Sequence, residues 1–164
     1  MNTNDRYVGQ IVALFELDFR RVNGGVIYIT NNSFPNRDIV WNGVIYIPNP
    51  ILLEEMNNSI QGTSPTPTCK IGNLSGILNE QIRLTRDLVG GKITRTQVFS
   101  ENLDDGDNPS LTPITPPESF YVNASARDKT EISIRSSTQL GAYHTQIPAM
   151  RATVDKYPGL KRVY

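Results

Sequence analysis

Adjacent carboxylates occur at Glu54-Glu55 and at Asp104-Asp105, the residue types from which a general acid and base are made. That work needs one carboxyl held protonated by an apolar pocket or a charged neighbour, and the sequence brings neither into view, so both pairs read as solvated. The acidic run Asp104 to Asp107 invites a calcium reading. With Gly106 as the sixth position of an EF-hand, Glu101, Leu103 and Asp105 fall at the first, third and fifth, and Thr112 stands where a bidentate Glu belongs. The EF-hand fails; a looser calcium site in the same loop stays open. Gly90-Gly91-Lys92 has the end of a phosphate loop, but Ile93 replaces the magnesium-binding Ser or Thr and Arg86 replaces the first glycine. His144 is the sole histidine and Cys69 the sole cysteine, so a triad or thiolate metal site would have to be gathered from scattered residues. Cys69 reads as a small buried hydrophobe. Arg151, Lys156, Lys161 and Arg162, with Tyr157 and Tyr164, are too sparse for a nucleic-acid platform. No catalytic, cofactor-binding or metal-binding residue emerges, and the chain reads as a non-enzyme.

Composition narrows the classes further. The 164 residues, 38% of them hydrophobic, suit one domain with a real core. Sixteen Lys plus Arg balance sixteen Asp plus Glu, which removes the long-range field that draws proteins onto nucleic acid or anionic membranes. A lone cysteine excludes an internal disulfide. Met1 to Tyr7 lacks the basic and apolar blocks of a signal peptide, and no apolar run nears the roughly 20 residues of a membrane span. The expectation is a soluble protein without a membrane anchor, made and assembled in a cytoplasm.

The elements that would position these residues are mainly strands. Ile11 to Phe19 alternates as a strand does, and Asn23-Gly24-Gly25 turns it into Val26 to Thr30. Asn42-Gly43 then joins Asp38–Trp41 to Val44–Ile47 as a type I′ hairpin, because both residues tolerate the positive φ that turn demands. Its register sets Trp41 against Val44 and Ile39 against Tyr46 on one side, with Val40 against Ile45 and Asp38 against Ile47 on the other. Both faces are largely apolar, which predicts a hairpin covered on both. Pro48 and Pro50 end it. These four strands are expected in meander order. Pro50 to Met56 leans to strand, Gln61 to Pro67 is extended, and Thr68 to Ile71 resumes a strand. The helix is expected over about 75–90, from an N-cap at Ser75 to the Gly90-Gly91 stop. Lys92 to Ser100 is polar enough to predict an edge strand or a surface facing water or a partner. The aperiodic, proline-rich loop 102–117 reads as functional or disordered. Phe120–Val122 and Glu131–Arg135 are the last strands, joined by Ala124 to Thr130. The chain thus divides into an N-terminal arm at 1–9, a β-rich domain at 10–135 and an extended C-terminal arm at 136–164.

The order of these segments resembles the minor tail protein L family of lambda-like siphophages, over Val12 to about Tyr157. The resemblance is carried by Val12 to Asp18, Gly24-Gly25, Trp41-Asn42-Gly43, Tyr46, Pro48 to Ile51, Pro65 to Thr68, Ile71 to Gly76, and Leu88 to Gly91 leading to Val98-Phe99. It implies a tail-tube-like β-sandwich or barrel of antiparallel strands with a flanking helix, set in a threefold or sixfold ring at the tail tip, between the distal tube and the central spike or fibre. The implied partners are further copies of the chain and other phage tail proteins, with no stable nucleic-acid binding even where DNA passes through the lumen. A shorter ring component such as a distal tail protein, and a carbohydrate-binding β-sandwich module, are the alternatives. Longer members resemble this chain in the core but carry a cysteine-rich C-terminal region that binds an iron–sulfur cluster; with no cysteine after Cys69, no cluster and no other cofactor is expected. Ring formation makes the doubly apolar hairpin, the polar strand and the long loop the candidate contacts between subunits: Trp41, Val44, Tyr46, Arg95, Gln97, Asp104, Asp105 and Asp107.

Overall fold

The computed structural model describes residues 9–34, 38–54, 66–73, 76, 78–85, 87–128 and 130–137. The expected cap Ser75, the basic residues beyond 150, His144 and Glu55 lie outside them. The elements are β1 (Ile11–Asp18), β2 (Val26–Thr30), β3 (Ile39–Trp41), β4 (Val44–Pro48), β5 (Ile51–Leu53), β6 (Thr68–Gly72), α1 (Asn79–Leu84), β7 (Lys92–Phe99), β8 (Glu118–Arg127) and β9 (Glu131–Ser137). Among the described residues the class is mainly β with one short α-helix. The strands form one nine-stranded sheet in the order β3-β4-β2-β1-β7-β8-β9-β6-β5, antiparallel except where β2 meets β4.

That sheet is open but strongly curled. β4 stands second in the order and β5 last, yet only Asn49 and Pro50 separate them, so Pro48 and Ile51 are at most about 11 Å apart. Asn49 fastens the return: its N–H donates to the Thr30 carbonyl at 2.8 Å and its Nδ2 to the Gly72 carbonyl at 2.9 Å. Inside the curl sits the main core, where the alternation of β1 points Phe15, Leu17 and Phe19 at Ile93, Phe120, Ile132, Ile134 and Ile71. Fully burying one such side chain contributes about 1.5–3 kcal/mol. The other face of β1 sends Val12 and Leu14 into a second core with Phe34, Ile39, Tyr46, Val98 and Leu103.

Four expectations are corrected. The first four strands are not a meander, since β2 pairs in parallel with β4, Ile29 beside Ile47, and β3 becomes the outermost strand. This order sets Tyr46 edge-on to Tyr28, ring centroids 5.5 Å apart. β7 is not an edge: it pairs with β1 along its whole length and with β8 over Lys92–Arg95. Its polarity has partners, because Arg95 meets Glu118 on β8 through Nε at 2.8 Å. The helix covers Asn79–Leu84 alone, and Asp87 and Leu88 both take φ of 63°, which no helix accommodates. The Thr85 hydroxyl, bonded to the Gln81 carbonyl and accepting from the Leu88 N–H, holds that exit in place. Finally, β8 runs on through the segment expected as a link, to Arg127, with a bulge between Val122 and Ala124.

The helix end docks closely on the first turn. Gln81 Oε1 accepts the Gly25 N–H at 2.8 Å, and a Cβ on Gly91 would lie 2.4 Å from the Phe19 ring. Only glycine admits that approach.

Candidate functional site

The Asn42-Gly43 turn has φ of 53° and 72°, the left-handed pair of a type I′ turn, and β3 and β4 take the register the turn dictates: Ile39 opposite Tyr46, Val40 opposite Ile45, Trp41 opposite Val44. The hairpin's two faces have different fates. Ile39 and Tyr46 are buried in the second core, and Trp41 and Val44 pack against it. On the opposite face Val40 is half-buried, while Ile45 is 59% and Ile47 46% exposed.

The difference comes from the loop 102–117, which lies across the covered face as an ordered clasp. Leu103 is fully buried beside Val98 and anchors it. The Asp104 N–H donates to the Val40 carbonyl at 3.0 Å, and the Asp104 carboxylate accepts from the Asn42 N–H at 2.9 Å and the Gly43 N–H at 2.7 Å. Successive backbone N–H groups in left-handed conformation form a natural cradle for a carboxylate. Further along, Trp41 Nε1 donates to the Ser110 carbonyl at 2.9 Å and the Ile114 N–H to the Gln97 carbonyl at 2.8 Å. Leu111 and Ile114 remain exposed on the outside of the clasp.

The candidate contacts therefore divide. Trp41, Val44, Tyr46 and Asp104 come together, but their side chains are engaged within the subunit. Burial pushes the Tyr46 hydroxyl up to about 12. Arg95 is ion-paired with Glu118, and the Gln97 side chain lies 3.5 Å from the Thr115 hydroxyl. Asp105 and Asp107 are exposed on the loop. On the hairpin, apolar surface is presented by Ile45 and Ile47 with half-buried Val40 beside them, none of which was among the candidates. Their signal was in the register, which set them on the face opposite Trp41; what the register did not carry was which face the loop would take.

Several of the described ionisable residues are engaged in pairs or buried. Glu54 pairs with Lys70, and the Asp18 carboxyl, held by Arg20, is depressed to about 2. Cys69 is buried, its thiol pushed up to about 12 by desolvation, and a single cysteine does not fit an iron–sulfur cluster, which takes several thiolates. Among the described residues no three His, Cys, Asp or Glu side chains are grouped to hold a metal ion, and no helix is long and apolar enough to cross a membrane. Trp41 packs half-buried against the second core, and its indole N–H is engaged by the Ser110 carbonyl.

Comparison with known proteins agrees with the resemblance in the segments. The family model for phage minor tail protein L matches residues 21–157. The tail tip protein L of Escherichia phage lambda is 31% identical over 94 residues, covering 57% of this chain and 40% of that protein. The chain thus spans about two-fifths of the length of the curated relative it matches. A match over most of the chain shows the family: this chain belongs to the phage minor tail protein L family and is a structural protein of the virion tail.

Proposed function

We propose that this chain is a non-enzymatic ring subunit of a siphophage tail tip, seated between the distal end of the tail tube and the central spike or fibre and assembled in the host cytoplasm. Its partners are then copies of itself, in a threefold or sixfold ring, and the adjoining tail proteins. Residues 10–135 act as one domain, with arms at 1–9 and 136–164 reaching neighbours. A distal tail ring protein uses the same features and differs only in position along the axis.

The observation that supports this reading best is the uncovered face of the β3–β4 hairpin. Val40, Ile45 and Ile47 continue the apolar inner surface of the sheet past the point where the chain turns back at Asn49, with Ile47 beside the buried Ile29. An apolar row left open beside a core marks surface made to be covered by another protein. Exposed Leu111 and Ile114 lie on a different element, and a ring built head to tail needs two such unlike patches on each subunit. Sedimentation of the purified chain over a range of concentrations, followed by electron microscopy of the largest species, tests the proposal. A closed ring is expected; a well-folded monomer at high concentration that binds no other tail protein overturns it.

A further inference from the structure

The Asn42-Gly43 turn also carries a covalent chemistry that its folding role does not use. In an asparagine–glycine pair the glycine backbone nitrogen can reach the asparagine side-chain carbon with no side chain in its path. The Gly43 nitrogen loses its proton and bonds to Asn42 Cγ, the Cγ–Nδ2 bond breaks, and the amide leaves as ammonia with that proton. Water then opens the resulting succinimide at either carbonyl, giving aspartate or isoaspartate, so that one water is consumed and one ammonia released. Both residues are exposed, so water has access.

We propose that Asn42 is a latent deamidation site and that the Asp104 carboxylate holds it in check. The N–H that must be lost is the one Gly43 donates to Asp104 at 2.7 Å, and the Asn42 N–H donates to the same carboxylate at 2.9 Å. Removing the Gly43 proton there would set two negative charges side by side, which strongly disfavours the attacking anion. The two bonds also fix the turn at φ of 53° and 72°, so the nitrogen is not free to swing toward Cγ. The products explain why control matters. An aspartate at 42 faces Asp104 with like charge, and an isoaspartate lengthens the backbone by one carbon inside a two-residue turn; either loosens the clasp that covers Trp41 and the second core. The turn is a slow covalent fuse on the loop, guarded by one carboxylate from the loop itself.

The test uses the full chain held at neutral pH and body temperature, with peptide mapping to follow conversion of Asn42 to acid. Folded protein should convert at least about tenfold more slowly than the same chain unfolded in denaturant, a modest figure for a hydrogen bond to a charged group. Asp104→Ala, with circular dichroism matching the parent, should move the rate toward that of the unfolded chain, and Asp104→Asn should fall between. Equal rates in folded and unfolded parent overturn the proposal. So does a folded Asp104→Ala that keeps the parent rate, or that slows, since slowing would make the carboxylate a base. If Asp104→Ala does not fold, amide exchange in the parent decides: a protected Gly43 N–H supports the guard, and exchange at the intrinsic rate refutes it.

Discussion

Substituting the two faces of the β3–β4 hairpin should have opposite consequences. Ile39 is fully buried in the second core, and Ile39→Ala removes its contacts and leaves a cavity, at about 2–5 kcal/mol of folding stability. Ile45 is 59% exposed, so less than half of its transfer free energy contributes to the isolated subunit, and Ile45→Ser should cost about 1 kcal/mol. Association reverses the ranking. Ile45 and Ile47 together leave about one isoleucine's worth of surface for a neighbour to cover, and losing it from both by Ile45→Ser and Ile47→Ser removes about 1.5–3 kcal/mol per interface. That is roughly a tenfold to hundredfold weaker contact. Urea unfolding at low concentration reads the first quantity and sedimentation equilibrium the second. The reasoning is refuted if Ile45→Ser destabilises the subunit as much as Ile39→Ala, or if the double serine variant assembles as the parent does.

Three further outcomes follow from named contacts. Gly91→Ala forces a Cβ to within 2.4 Å of the buried Phe19 ring and should cost about 1–3 kcal/mol in chemical denaturation, whereas a neutral result would mean that the helix end is loosely docked. Asp18, depressed from 3.8 to about 2 first by its hydrogen bond from Arg20, adds stability that is fully present above its unfolded pKa and is lost as pH falls from about 4 to 2. With the Arg20 side chain 67% exposed, solvent screens the pair, so Asp18→Asn should flatten the acid limb slightly and leave neutral stability nearly unchanged in pH-dependent melts. Cys69, with its thiol at about 12, should resist a thiol reagent at neutral pH until the protein unfolds; rapid reaction in the folded state would contradict its burial.

What was legible in the sequence followed distance along the chain. The Asn42-Gly43 turn fixed the pairing of its strands residue by residue, because a two-residue I′ turn leaves no freedom of register. The alternation of Ile11 to Phe19 likewise foretold two faces with two destinations. The illegible features depend on long-range neighbours. The parallel placement of β4 beside β2 is set by Asn49 bonding to Thr30 and Gly72, which no local pattern announces. Lys92 to Ser100 looked like an edge because Arg95 and Gln97 are polar, and only the ion pair to Glu118 and the loop bond at Gln97 explain their place inside the sheet. The loop 102–117 has no period, yet Leu103 and Asp104 make it the cover of the second core. The charge of Asp104 is spent on the hairpin turn, 61 and 62 residues away, a pairing that no pattern within the loop announces.

The most direct test of the central claim is a cryo-electron microscopy reconstruction of a tail particle carrying this chain. The expected result is a ring of three or six copies at the tail tip in which a neighbouring subunit covers Val40, Ile45 and Ile47. A reconstruction that leaves that face of the hairpin open to solvent, or that shows the chain singly and away from the tip, would contradict it.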